Sequence, residues 1–242
     1  MDLQPLSDLW RHLTAAQDAP TSALILITAA VGALAVGANV VWRVTRTVIT
    51  ITHEGGHALV AVLTGRRLRG IRLHSDTSGL TLSRGKPRGL GMILSLMGGY
   101  LAPSLLGLAA AALLARGRVT LLLWLALLLL LAVLLMIRNW YGLLAVAVTT
   151  AAVFAVSWYT TSATQAAVAY TGVWFLLFGG VRPVLELSGR RSGRAGGESD
   201  PDQLSRLTWI PAGLWTLFFL LANLACLAYG GYLLLRAGGL IA

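Results

Sequence analysis

The sequence predicts an all-α polytopic membrane protein of about seven transmembrane helices, with a small β-hairpin after the second span. Three observations predict it. Apolar runs longer than 18 residues recur along the 242-residue chain. Only 12% of residues are charged against 57% hydrophobic, with a mean hydropathy of +0.75, whereas a soluble domain carries roughly twice that charged fraction. The basic residues gather at the ends of the apolar runs, where orientation signals sit. Hydrocarbon offers no water to unpaired backbone groups, so such runs cross it as helices.

Residues 1–22 place Leu3, Leu6, Leu9 and Leu13 at helical spacing among Asp2, Asp8 and Asp18. That pattern is a short amphipathic helix at the interface rather than a cleaved signal. Residues 23–242 form one membrane-embedded unit, with spans near 23–42, 47–64, 90–115, 119–137, 139–156, 165–181 and 209–235. The breaks fall at Arg43 to Arg46, at 66–88, at Arg116 to Arg118, at Arg138, at 157–164 and at 182–208. Arg138 is the tightest of these, and a half-helix is the alternative there. Within 68–83, Ile71 and Leu73 alternate with Arg72 and His74, Ser75 to Gly79 reads as a turn, and Leu80 and Leu82 alternate with Thr81 and Ser83. This is a hairpin signature. Its open edge, next to the second span, suits pairing with an extended peptide. The stretch 183–208 is rich in Gly, Arg and Ser and reads as a flexible cytoplasmic loop. Ser199 or Asp200 then makes a helix N-cap.

Alternating sides puts fourteen of the 19 cations on the first side and five on the second. The richer side is cytoplasmic, so the N-terminus lies inside and the C-terminus outside a multi-pass cell-membrane protein. The net charge of +10 is thereby accounted for without a nucleic-acid partner. The partners expected are the bilayer and a membrane protein or peptide. Cys226, the one cysteine, excludes an internal disulfide and a cysteine-based metal site.

Inside the second span stands His53-Glu54-Gly55-Gly56-His57. Histidines four apart share one helix face, so both imidazoles can bind one zinc ion. Glu54 beside them can take a proton from water. A carboxylate within the hydrocarbon costs about 2.5–3.5 kcal/mol on insertion scales, which argues for a task. Hydrolytic zinc takes three protein ligands and an exchangeable water. The third donor is sought among Asp200, Asp202, Glu186, Asn139 and His74, with Asp200 first because it starts a helix that can dip toward the bilayer.

These motifs resemble the site-2 protease group of intramembrane zinc metalloproteases, and more narrowly its M50B-like branch. The resemblance is carried by His53 to Ala58, Leu63-Thr64-Gly65, Ser78-Gly79, Gly98 to Pro103 with Gly107, Arg138 to Gly142, and Glu198-Ser199-Asp200 with Leu204 and Leu207-Thr208. It implies His53 and His57 as Zn2+ ligands, Glu54 as catalytic base, and hydrolysis of peptide bonds in membrane-associated proteins. The group draws its third ligand from an aspartate, usually in Leu-Asp-Gly. This chain has Asn139-Trp140-Tyr141-Gly142 at the comparable place. The competing readings are an inactive member that binds transmembrane clients and, further off, a transporter using the His-Glu-His cluster as a proton relay.

Overall fold

A computed structural model describes residues 10, 11, 13–191 and 199–242. Helices α1 (Ser22–Gly37) and α2 (Asn39–Leu63) lead into strands β1 (Arg67–Leu73) and β2 (Gly79–Arg84). Helices α3 (Leu90–Leu114), α4 (Val119–Met136), α5 (Trp140–Tyr159) and α6 (Ser162–Arg191) follow, then short α7 (Asp200–Thr208) and α8 (Ala212–Ala237). The structure is thus mostly helical with one small antiparallel sheet. Among the described residues α3, α4, α5, α6 and α8 are long and apolar enough to cross a membrane. The pair α1 and α2, bent by 96°, makes a sixth candidate if taken as one span. Of the interfacial segment expected at 1–22, residues 1–9 and 12 lie outside the described residues, and 15–21 are not helical.

The centre is built by α3, α6 and α8 with α1 against them. Ile25, Leu114, Tyr170, Trp174, Leu177 and Leu234 are buried there. Leu177 is held between Gly107 and Gly230, where an added Cβ would lie 3.1 and 2.9 Å from its side chain. Such close approach matters in a bilayer, where packing rather than water exclusion joins helices. Helices α4 and α5 pair mainly with each other and keep their apolar surfaces outward.

Three boundaries differ from the sequence reading. The expected break at Arg43 to Arg46 lies instead at Ala38, and both arginines belong to α2. Arg46 is held there by Glu186 on α6, which pairs with it (3.1 Å) and accepts a bond from Trp42 Nε1 (3.0 Å). Arg182 clamps the bend: its guanidinium donates to the carbonyls of Val36 and Gly37 and to Asn39 Oδ1 (2.6 Å). Those carbonyls end α1 and need a donor. The expected loop 183–208 is largely helical, since α6 continues to Arg191 and α7 begins at Asp200. The Arg182–Glu186 pair one turn apart (2.9 Å) and buried Val184 carry α6 past Pro183; residues 192–198 lie outside the described residues. Finally, the uncharged break at 157–164 shrinks to Thr160 and Thr161.

The hairpin forms as expected, β1 pairing antiparallel with β2 around the turn at His74 to Ser78. The tight reversal at Arg138 is no half-helix but an extended step that joins the sheet. Ile137 bridges Ile71 in parallel, and the Arg138 amide donates to the Ile71 carbonyl (2.9 Å). Gly70, with φ of 150°, leaves room for Arg138, whose Cγ would be 2.3 Å from an added Cβ.

Helices α2 and α3 meet backbone to backbone. A Cβ on Gly56 would stand 2.4 Å from both Ala102 Cβ and the Gly98 carbonyl oxygen, while one on Gly55 would make an ordinary 3.5 Å contact with Val133. Overpacking of this kind costs about 1–3 kcal/mol. Gly56→Ala is therefore expected to lower the thermal unfolding midpoint in detergent, and Gly55→Ala to leave it close to wild type.

Candidate metal centre

Helix α2 is amphipathic and turns His53, Glu54 and His57 inward toward α3 and the hairpin; Glu54 and His57 are buried. Their surroundings are made by the glycine pair of α3. Gly99 sits directly against both rings, so that a Cβ there would lie 2.4 Å from His57 Nε2 and 2.8 Å from His53 Cε1. One turn earlier, the Ser95 carbonyl oxygen is 2.7 Å from His57 Nδ1. A carbonyl only accepts, so Nδ1 carries the proton and Nε2 presents its lone pair. The Ser95 hydroxyl donates in turn to the His57 carbonyl (3.1 Å). Tyr100 stands edge-on to His53, ring centroids 4.9 Å apart, and stacks on Phe219 of α8.

Helix α7 brings the third group. Its first turn is fixed by a capping box, the Ser199 amide donating to Asp202 Oδ2 (3.2 Å). Leu204 is fully buried among Leu96, Val184 and Phe219, which seats the helix against α3 and α8. Asp200, at its start, reaches the histidines. Asp200 Oδ2 lies 3.3 Å from His53 Nε2 and 3.2 Å from His57 Nε2, and the two Nε2 atoms are 3.1 Å apart.

Three electron-rich atoms therefore form a nearly equilateral triangle. Asp200 Oδ2 is buried with no hydrogen-bond partner among the described residues. Tetrahedral bonds of about 2.0–2.2 Å, the zinc range for nitrogen and oxygen donors, put neighbouring donors about 3.3–3.6 Å apart. The observed 3.1–3.3 Å spacing comes within about 0.2 Å of that range, and two imidazoles with one carboxylate are the donor set of a hydrolytic zinc site.

The other candidates for the third position are engaged elsewhere. Asn139 pairs with the backbone of Leu73, accepting from its amide (3.1 Å) and donating to its carbonyl (2.6 Å), so it extends the sheet. Glu186 serves the Arg46 and Arg182 cluster. Asp202 caps α7. His74 lies in the exposed hairpin turn beside the Ser78 hydroxyl (3.2 Å). Glu54 contacts β2, where Thr81 Oγ1 donates to its Oε2 (2.6 Å). Sequence reasoning missed Ser95, Thr81 and Tyr100; the small pair Gly98-Gly99 was the one readable sign that α3 crosses the histidines.

A bundle of apolar helices brings together His53, His57 and Asp200, a group that could hold a metal ion, in a multi-pass membrane protein. The chain belongs to the Peptidase M50B-like family, whose model matches residues 24–230. No curated protein and no solved structure matches it.

The space at Gly99 yields a test. Gly99→Ala is expected to push the imidazoles apart and to weaken metal binding by about 10–100-fold, the scale of changes in groups that support ligands. Equilibrium titration with zinc measures it.

Proposed function

We propose that this protein is a zinc endopeptidase of site-2 protease type, hydrolysing peptide bonds of membrane-associated proteins. The observation that carries the reading is the triangle of His53, His57 and Asp200, whose donors are spaced for one tetrahedral ion and whose carboxylate oxygen is otherwise unpartnered. Those three residues would hold the ion within the membrane-embedded unit 23–242. Zinc, when bound, supplies a Lewis acid that lowers the pKa of water and polarises a carbonyl. Glu54 accepts the proton from the attacking water and returns it to the leaving amine. Its burial, 4% exposed, keeps bulk water from competing for that proton. Ser95 fixes the tautomer of His57, so that Nε2 faces the ion.

The substrate is held as an extended strand. β1 is paired on one side with β2 and on the other with Ile137, whereas β2 has no second partner among the described residues. The face of β2 that carries Gly79 and Thr81 lies against α2 at Glu54. A transmembrane helix is already satisfied within itself, so a segment must unwind to pair there. We further infer that the hairpin lies on the cytoplasmic side and the α5–α6 turn outside.

Three measurements test this reading. Purified protein is expected to contain about one zinc per chain, and His57→Ala to lose it. Absence of zinc from the wild type would count against the site. Glu54→Gln is expected to reduce cleavage of single-span peptides in detergent by at least about 100-fold while zinc content stays unchanged. Retained cleavage would assign the work to another group. In a Cys226→Ser background, His74→Cys is expected to react with impermeant thiol reagent from the cytoplasmic face and Thr161→Cys from the opposite face.

A further inference from the structure

We infer that Thr81 is a positioning residue for the glutamate base, its hydroxyl holding one carboxylate oxygen so that the other is left for proton transfer. The inference rests on Glu54 as the base and adds the group that aims it. Thr81 Oγ1 lies 2.6 Å from Glu54 Oε2 and 3.0 Å from the Glu54 carbonyl oxygen. A hydroxyl has one proton. The shorter contact to the charged acceptor takes it, and hydrogen bonds to carboxylates are the stronger kind. Oε2 is thereby fixed. The other oxygen, Oε1, has a different neighbour: a Cβ on Gly79 would stand 2.5 Å from both Glu54 Cγ and Oε1. Among the described residues no donor reaches Oε1. Glycine at 79 keeps its side of the carboxylate clear, while threonine two residues on pins the opposite side.

The pin is itself rigid. Thr81 pairs with Ile71 across the hairpin, and Ile71 is fully buried and bridged to Ile137. At the turn, Thr50 of α2 donates to the Thr77 carbonyl (2.8 Å). The hairpin is thus tied to α2 at two points, one helical turn before the base and at the base itself. A free carboxylate on a glutamate has three rotatable bonds. Holding one oxygen removes most of that freedom, which is what orientation supplies to a proton transfer. Because Thr81 also belongs to the strand with the free edge, a peptide paired to β2 is registered against the base by the same strand that aims it.

A role as mere glue between hairpin and helix makes different predictions. With single-span peptides in detergent, Thr81→Val is expected to lower kcat about 10–100-fold, with KM within about twofold and zinc content unchanged, the scale seen for groups that orient catalytic ligands. Thr81→Ser, which keeps the hydroxyl, is expected to stay within about threefold of wild type. Wild-type kcat in Thr81→Val, or equal loss in both variants, would overturn the assignment. A thermal unfolding cycle decides the contact independently of turnover: Thr81→Val should lower the midpoint clearly more when Glu54 is present than in a Glu54→Ala background, where the backbone carbonyl alone remains to accept. Equal shifts in both backgrounds would refute the link. Should the wild type cleave nothing, the peptidase reading fails while this cycle still settles whether the hydroxyl holds the carboxylate.

Discussion

The contact on which the rest depends is the backbone approach of α2 and α3 at Gly56 and Gly98. A Cβ on Gly98 would stand 2.8 Å from the Gly56 carbonyl oxygen, so neither residue has room for a side chain. Only at this separation does the Ser95 carbonyl reach His57, and only with Gly99 beside the rings can both imidazoles face the same point. Tyr100 then touches His53 on one side and Phe219 on the other, joining the pair to α8 and, through Leu204, to α7. The polar group furthest along the chain, Asp200, is positioned by apolar packing that begins at two glycines.

A few buried polar groups carry separate duties, which explains how so apolar a chain tolerates them. Glu186 pairs with Arg46 and Arg182 and accepts from Trp42, while Arg182 closes the open carbonyls at the bend after α1. Asn223 donates to the carbonyls of Tyr100 and Gly180, bonding α8 to α3 and α6. Each polar residue in these sets meets a partner on another helix, as a group kept from water must. The carboxylate of Asp200 faces the two imidazole nitrogens at 3.2 and 3.3 Å, and three such donors converging on one point suit a cation.

The fold class, the hairpin and the two histidines were legible because each rests on local pattern: run length, alternation, and four-residue spacing. Asp200 could be ranked but not placed, since its approach to His53 spans 147 positions and is set by how α7 seats on α3 and α8. Arg43 and Arg46 misled for the opposite reason. Charge in a hydrophobic run reads as a break, yet a single glutamate on α6 keeps Arg46 in the helix. Asn139 stood among the alternative donors, at a place in the chain comparable to that of the group's aspartate; its amide continues the sheet by pairing with Leu73. Thr81 had no signal at all, because a threonine in a strand is ordinary and only its contact with Glu54 distinguishes it.

Zinc K-edge X-ray absorption of the purified, zinc-loaded protein tests the central claim most directly. The account predicts one zinc with nitrogen and oxygen donors at about 2.0–2.2 Å, two of them imidazole, and one imidazole fewer in His53→Ala. A sulfur donor, a spectrum unchanged by His53→Ala, or a zinc without imidazole ligands would contradict it.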